Sequence, residues 1–384
     1  MYRHNLKNIV DNLQGNRYET YNIIEISRAN LLKNIEIIRK NNPGQIIIPV
    51  IKSNAYGHGI DQVAKILDQS DIEFVAVDGY FEAHRLLKKT RLNVLVMGAI
   101  KPSNAKLVDT KRCSFVVQDI KGLQAFGSLN KKVKVHIELN TGMNRLGLSE
   151  KELDPYLKAL QKYPNLEIEG IMSHLADADS ADNSFTYMQL ENFDSMLKTI
   201  IASGQNPKYI HLAQTAGSTK IKHDLVNGIR LGIGLYGINP LENSDPKYRE
   251  LDQLEPVLSL KSTIIKINEL KEGDKVSYNG IFTAKKPMNI GVLPLGYYEG
   301  YPRSLSNKGV ATYKNEKLPI VGRVCMNHTM LDLDGTNIAI GTEVTLISNN
   351  KEAVNSVVNI CKNNDIFSYQ LVTGLNDNIR RIII

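Results

Sequence analysis

The stretch Ile46-Ile47-Ile48-Pro49-Val50-Ile51-Lys52-Ser53-Asn54-Ala55-Tyr56-Gly57-His58-Gly59 decides how the rest of the chain is read. Its first six residues are apolar without alternation. Such a run suits a strand covered on both faces, as in a parallel sheet wrapped by helices. Lys52 comes where that strand ends and is expected to be partly withdrawn from water. Desolvation lowers the pKa of an amine and makes it a candidate for Schiff-base chemistry. A lysine at a strand end is ordinarily only a solvated charge, so its neighbours have to decide between the two readings.

Outward from this stretch the same rhythm continues. β-rich runs are expected at residues 46–52, 73–77, 92–97, 113–117, 132–138, 166–173, 209–212 and 225–230. Between them lie segments with apolar residues at helical spacing, such as 60–67, 80–87 and 185–201. Eight strands separated by helices is the count of a (β/α)8 barrel. A doubly wound open sheet is the alternative, but it requires no particular count. After about residue 255 the long helices stop. Strand-like runs at 257–267, 275–278, 289–293, 318–324, 330–333 and 343–347 are separated by turn signals such as Asn279-Gly280 and Asp334-Gly335. The fold class is therefore α/β: an N-terminal (β/α)8 TIM barrel followed by a mostly β C-terminal domain. The divisions are 1–27, an extension with a strand (residues 21–27) that packs on the C-terminal domain; 28–255, the barrel; and 256–384, the β-rich domain.

Composition fits this reading and excludes others. The chain has 384 residues, 42% hydrophobic and 23% charged, enough apolar sequence for a large core. No run reaches the ~20 apolar residues of a membrane span. Residues 1–15 carry Arg3, Lys7 and Asp11 and no long apolar stretch, so no secretory signal is expected and a cytoplasmic location is. The net charge of +7 comes from scattered lysines rather than basic blocks, which argues against nucleic-acid binding and suits an anionic small ligand. Cys113, Cys325 and Cys361 lie far apart and form neither a zinc pattern nor a disulfide framework.

Active sites of (β/α)8 barrels lie at the C-terminal ends of the strands. There the sequence places Lys52; Glu138, followed by Thr141-Gly142-Met143-Asn144-Arg145; Ser173-His174; Gln214-Thr215; and Arg230 with Gly232-Ile233. Each has a bland explanation alone: a structural ion pair for Arg230, a hydrogen-bonded core residue for His174, a turn for Gly232. Their convergence on one mouth is what those explanations leave over. A lysine for an aldehyde, N–H groups and a hydroxyl for a phosphate, and a partner for a ring nitrogen together suit pyridoxal 5'-phosphate.

On these residues the chain resembles bacterial alanine racemases, the fold-type III pyridoxal phosphate enzymes, over nearly its whole length. The long match is Val50–Gly59. Shorter ones follow in order: 141–147, 173–177, 230–237, Val276-Ser277-Tyr278, Leu295-Gly296-Tyr297 and Gly322-Arg323-Val324-Cys325-Met326. The resemblance implies that Lys52 carries the cofactor and acts as one acid/base, with Tyr278 as the other on the opposite face of the substrate. It implies that Tyr56, Thr215, Gly232 and Ile233 hold the phosphate and that Arg230 faces the pyridine nitrogen with His174 in support. Arg145 would touch the cofactor and the substrate side, and the Met326 backbone would meet the substrate carboxylate. It further implies a homodimer with shared active sites, Tyr278 and Met326 coming from the other chain, and no metal. The implied activity is interconversion of L- and D-alanine for peptidoglycan.

Departures bear on specificity. Gln214-Thr215 stands for the usual Asn-Ser, Leu231 for a proline, Asn327 for an aspartate, and Asp377 lies where many members have a tyrosine. Loss of that tyrosine implies a roomier pocket, so a racemase for serine or a broader set of amino acids is the nearest alternative. Glu138 lies where many relatives have a carbamylated lysine. A built-in carboxylate paired with Arg145 is expected here. Fold-type III decarboxylases need glycine-rich and cysteine motifs that are not found. Non-catalytic cofactor-binding relatives usually consist of the barrel alone.

Overall fold

The computed structural model describes residues 19–314 and 316–384; the reading of residues 1–15 lies outside them. The chain divides into two compact units. One comprises Ser27–Val257, the other residues 19–26 together with Leu258–Ile384.

The Ser27–Val257 unit is a closed parallel barrel. In chain order, β1 (Asn22–Ile26) belongs to the other unit and is followed by α1 (Arg28–Asn41). The barrel then runs β2 (Ile46–Pro49), α2 (Ile60–Asp68), β3 (Phe74–Val77), α3 (Tyr80–Leu87), β4 (Asn93–Val96), β5 (Cys113–Val117), α4 (Ile120–Gly127), β6 (Val133–Glu138), α5 (Glu150–Leu160), β7 (Leu166–Met172), α6 (Ser184–Ala202), β8 (Tyr209–Gln214) and β9 (Gly228–Leu231). The hydrogen-bonded order is β2-β9-β8-β7-β6-β5-β4-β3. A parallel bridge between Val50 and Ala76 joins β2 to β3 and closes the ring. Closure removes both sheet edges, which an open doubly wound sheet would keep.

The barrel lumen is half apolar and half polar. Ile48, Phe74, Ala76, Leu95, Val116, Met172 and Tyr209 form one buried cluster. Beside it runs a chain of hydrogen bonds. Arg230 Nη1 lies 2.8 Å from His211 Nδ1, His211 Nε2 lies 2.8 Å from His136 Nδ1, and His136 Nε2 lies 3.3 Å from Glu169 Oε2. Arginine can only donate, so His211 accepts at Nδ1 and donates from Nε2, and His136 in turn donates to Glu169. Lys134 and Ser114 also donate to that carboxylate. Burial opposes ionisation of Glu169, but His136, Lys134 and Ser114 outweigh it and hold the carboxyl at about 2. Burial, with Arg230 nearby, keeps His211 well below the usual imidazole range, and burial likewise lowers His136. The alternation in Val133-Lys134-Val135-His136-Ile137-Glu138 reflects this: valine and isoleucine face the helices, while the other three line the lumen.

The second unit is built from β10 (Leu258–Thr263), β11 (Lys266–Leu270), β12 (Lys275–Val276), β13 (Phe282–Thr283), β14 (Met288–Leu293), β15 (Val310–Tyr313), β16 (Glu316–Pro319), β17 (Thr329–Asp332), β18 (Glu343–Ile347), α7 (Val357–Asn364), α8 (Ser368–Thr373) and β19 (Arg380–Ile383). One sheet has the order β16-β15-β18-β10-β1-β19, and a second β11-β14-β17. β1 pairs antiparallel with β10 and parallel with β19. The single run expected at 257–267 is two strands. Ile264 N–H donates to Thr342 O and Ile265 N–H to Val292 O, so the chain changes sheets between them. The run expected at 318–324 ends at Pro319, because residues 322–326 leave the sheet as a loop.

A buried ion pair ties two loops of the barrel unit. Lys220 Nζ lies 2.6 Å from Asp245 Oδ2, their side chains 2% and 1% exposed, and Nζ also donates to Ser180 O at 2.5 Å. Asp245→Ala leaves a buried ammonium unpaired and is expected to cost about 3–5 kcal/mol. Chemical denaturation showing less than about 1 kcal/mol lost would remove this pair from the stability of the barrel. The neutral imidazoles of His136 and His211 give a second expectation. Below the unfolded imidazole pKa of ~6.5 the unfolded chain takes up protons that the folded chain refuses, so stability falls as pH falls. Between pH 7.5 and 5.5 the unfolding free energy is expected to drop by about 1 kcal/mol or more per buried imidazole. A flat or rising profile in that window contradicts it.

Candidate active site

The chain does not continue as strand after β2. Ser53, Asn54, Ala55 and Tyr56 have φ of 54°, 52°, 53° and 51°, a left-handed turn without glycine. Each such residue costs about 1–2 kcal/mol, so the surroundings must impose the turn. Ser53 N–H donates to Glu82 Oε1 at 2.6 Å, and Glu82 Oε2 also accepts from the N–H groups of Asp78 and Gly79. Asn54 Oδ1 accepts from Ile60 N–H at 2.8 Å, opening α2. The turn therefore hangs between α2 and the loop after β3. Lys52 is about a third exposed, with its Nζ 3.6 Å from Asp78 Oδ1.

Tyr56 packs on Tyr236, ring centroids 5.1 Å apart, and Tyr236 donates to Val50 O. Burial pushes the Tyr56 phenol up to about 12, with Arg230 opposing the shift. It therefore stays a hydrogen-bond donor at any physiological pH. Its hydroxyl lies against Gly232, where a Cβ would come within 3.0 Å. Gly232 and Ile233 are buried, and among the described residues their N–H groups have no acceptor. Thr215 Oγ1 accepts from Gly234 N–H at 3.1 Å. One phenol, one hydroxyl and two open N–H groups thus line the turn after β9, a set of donors that fits a phosphate.

Arg230 is 2% exposed. Nη1 donates to His211 Nδ1 and to His211 O, both at 2.8 Å. Nη2 donates to Ser173 O at 2.6 Å, His174 Nδ1 at 3.1 Å and Leu212 O at 3.1 Å. The donor left over is Nε–H. Burial lowers the guanidinium to about 10, with Glu138 opposing. Burial, then Arg230, Arg145 and Lys52, hold His174 at about 3, so it is a neutral acceptor. These causes place Arg230, Arg145 and Lys52 within electrostatic reach of His174. An unspent donor fixed in the barrel mouth suits a neutral ring nitrogen, and with the lysine and the phosphate-sized turn the residues fit pyridoxal phosphate.

Arg145 lies exposed on the loop after β6. Gln189 holds that loop through Thr141 Oγ1 and holds the next one through His174 O and Ala176 N–H. The expected pairing of Glu138 with Arg145 needs correction. Glu138 is buried, which raises its pKa, and it feels both Arg230 and Arg145, but no Glu138–Arg145 salt bridge forms among the described residues. The carboxylate sits inside at the end of β6 while the guanidinium stands out on the loop. Gln189, Glu82, Asp78 and His211 were missed by sequence reasoning. Asp78 follows directly on β3, so the strand-end rule itself could have flagged it.

In the second unit Tyr278 is 71% and Met326 54% exposed. Tyr278 follows Ser277, whose φ of 66° and ψ of −173° fall in a region essentially reserved to glycine, at a cost of about 1–3 kcal/mol. Tyr297 N–H donates to Cys325 O and Tyr298 N–H to Met326 O, both at 2.9 Å, while Met326 N–H has no acceptor among the described residues. Asn327 Nδ2 donates to Glu299 Oε1 at 2.8 Å. Asp377 is exposed and its carbonyl accepts from Arg381. Among the described residues no cluster of side chains suits a metal ion, and no helix is long and apolar enough to cross a membrane.

Comparison with known proteins finds matches over most of the chain. Residues 26–240 match the alanine racemase N-terminal domain and residues 257–383 the alanine racemase C-terminal domain. The alanine racemase of Lactobacillus acidophilus is 33% identical over 374 residues, covering 94% of this chain and 96% of its own. The crystal structure of alanine racemase from Bacillus anthracis with bound L-Ala-P is 29% identical with a TM-score of 0.86, covering 96% of both chains. That from Bartonella henselae with covalently bound pyridoxal phosphate shares the fold, with 24% identity, a TM-score of 0.82, and 95% and 100% of the two chains covered. With both domain families matched in order and relatives at this identity, the chain belongs to the alanine racemase family, an amino-acid racemase built on a parallel barrel and a mostly β second unit.

Proposed function

We propose that the protein interconverts L-alanine and D-alanine with pyridoxal 5'-phosphate, as a cytoplasmic homodimer, and that its D-alanine feeds peptidoglycan. The observation that carries this is the buried Arg230 with its unspent Nε–H, set among Lys52, Tyr56 and the open N–H groups of Gly232 and Ile233. The Bacillus anthracis and Bartonella henselae relatives, with bound L-Ala-P and covalently bound pyridoxal phosphate, support the substrate and cofactor classes.

When bound, pyridoxal phosphate draws electron density from the substrate Cα and makes its hydrogen removable as a proton. Lys52 would hold it, Tyr56, Thr215, Gly232 and Ile233 would take its phosphate, and Arg145 and His174 would flank it. Arg230 would donate to the ring nitrogen and, keeping its own proton, would leave that nitrogen without one. Racemisation then needs a proton taken from one face of Cα and another given on the opposite face. Lys52 Nζ serves one face and the Tyr278 hydroxyl the other. The Met326 N–H faces the substrate carboxylate. Tyr278 and Met326 of one chain serve the barrel of the other, so assembly is part of catalysis.

The test is racemisation by the purified, reconstituted protein on a panel including L-alanine and L-serine. The wild type is expected to show an absorption band at about 410–430 nm and to favour alanine; Lys52→Ala loses the band. A colourless protein that cannot be reconstituted overturns the proposal, and a preference for serine moves it to that substrate. The shared site has its own check. Lys52→Ala and Tyr278→Ala homodimers are each expected to be nearly inactive. A mixed dimer contains one intact site and recovers up to about half the activity. Mixed dimers confirmed by mass and still inactive would put both bases in one chain.

A further inference from the structure

Ser277 takes a backbone conformation that glycine would adopt without strain, so its side chain must supply something that glycine cannot. Its hydroxyl donates to Arg323 O at 3.0 Å and lies 3.1 Å from Cys325 Sγ. Cys325 Sγ also lies 3.5 Å from Arg323 O, so hydroxyl, thiol and carbonyl form one hydrogen-bonded cluster. Gly322, at φ +79°, closes against the same place: a Cβ there would meet Val276 O at 2.9 Å and Ser277 Cβ at 3.0 Å. On the far side of the turn, Asn307 Nδ2 donates to Ile281 O at 3.0 Å, and its Oδ1 accepts from Gly322 N–H at 2.6 Å. Beneath lies a buried cluster of Val276, Met288, Ile290, Val321 and Met330, with Cys325 packed on it. The turn carrying Tyr278 and the loop carrying Met326 are thus fastened together, and Ser277 is the fastening adjacent to the phenol.

We infer that Ser277 is a positioning residue that aims the Tyr278 hydroxyl and fixes its spacing from the Met326 backbone. The inference rests on the proposed role of Tyr278 as one acid/base. Within its own chain Tyr278 is mostly exposed, so the strained peptide before it sets the direction in which the side chain leaves that chain. Proton transfer is sensitive to that direction, because donor and acceptor must approach within hydrogen-bond reach.

Ser277→Ala keeps the strain and removes the hydroxyl; Ser277→Gly removes both. In the full-length protein loaded with pyridoxal phosphate, both variants are expected to lose about 10–100-fold in kcat, the scale of a misplaced catalytic group. The KM for alanine is expected to hold within about twofold, because the Tyr297 and Tyr298 N–H groups still hold the Cys325 and Met326 carbonyls. Ser277→Gly is expected to melt at or above the temperature of Ser277→Ala, since glycine accepts the conformation. The deciding readout uses alanine deuterated at Cα. Slowing only the transfer on the Tyr278 face raises the primary isotope effect for the enantiomer whose hydrogen faces Tyr278. It lowers the effect for the other enantiomer, whose Cα bond is broken by Lys52. General loosening of the fold does not split the two. Wild-type kcat with unsplit isotope effects in Ser277→Gly overturns the inference. Tyr278→Phe separates it from the reading beneath: if that variant is inactive while the Ser277 variants are normal, only the inference fails, and if it is fully active, both fail.

Discussion

A guanidinium ion buried at the mouth of a barrel must find acceptors for its N–H groups, or the structure around it cannot hold. Arg230 finds five: one carbonyl just past β7, two within β8, and two imidazole nitrogens. Those imidazoles can accept only while neutral, so His174 and His211 must be held low, and burial beside a cation does this. Neutral His211 must then dispose of its own N–H, which passes the requirement to His136 and on to Glu169. Glu169 in turn needs a countercharge, supplied by Lys134. One buried cation thus dictates the polar half of the lumen. The pairing is costly compared with an all-apolar core, and it leaves one fixed donor, Nε–H, directed by five bonds.

The second constraint is strain, and it falls beside the residues proposed to do the chemistry. Four left-handed residues follow Lys52, and one precedes Tyr278. Such conformations persist only where the surroundings over-determine them. For the first, Glu82 and Asn54 supply the bonds; for the second, the loop after Gly322 does. The left-handed turn has a consequence for placement. Lys52 and Tyr56 are four residues apart, yet the same Asp78 carboxylate pairs with the lysine and acts on the phenol.

The barrel was legible in the sequence because eight apolar runs in β/α rhythm leave few other arrangements, and the Val50–Gly59 stretch carried the cofactor reading. Other features left no local signal. Ser53-Asn54-Ala55-Tyr56 contains no glycine to announce positive φ, so the turn is set by Glu82, a residue 29 positions after Ser53. Strand β19 owes its existence to β1, a partner at the other end of the sequence, and weak propensity reveals neither it nor the short hairpin strands β13 and β15. The sheet change at Ile264 lies inside a strand-like run that no glycine or proline interrupts. Glu138 looked like a partner for Arg145 because it stands where many relatives have a carbamylated lysine, but its carboxylate is buried at the end of β6 while Arg145 is exposed on the loop. The chain from His211 to Glu169 was partly readable: polar residues alternating along a strand otherwise fit for burial are a signal that the lumen side is not all apolar.

The loop of residues 323–327 shows how hydrogen bonds alone can give a backbone its chemical sense. The carbonyls of Arg323, Cys325 and Met326 are taken by Ser277, Tyr297 and Tyr298. Glu299, which accepts from Gly296 N–H on one oxygen, accepts from Asn327 on the other. An aspartate at 327 would oppose Glu299 with a like charge and could not donate to it; asparagine supplies the donor that the carboxylate needs. With these acceptors spent, the group that Met326 offers is its N–H. A loop of this kind is suited to an anion and unsuited to a cation. The family's amino-acid substrates carry a carboxylate, so this polarity is set by the residues around the loop before any ligand arrives.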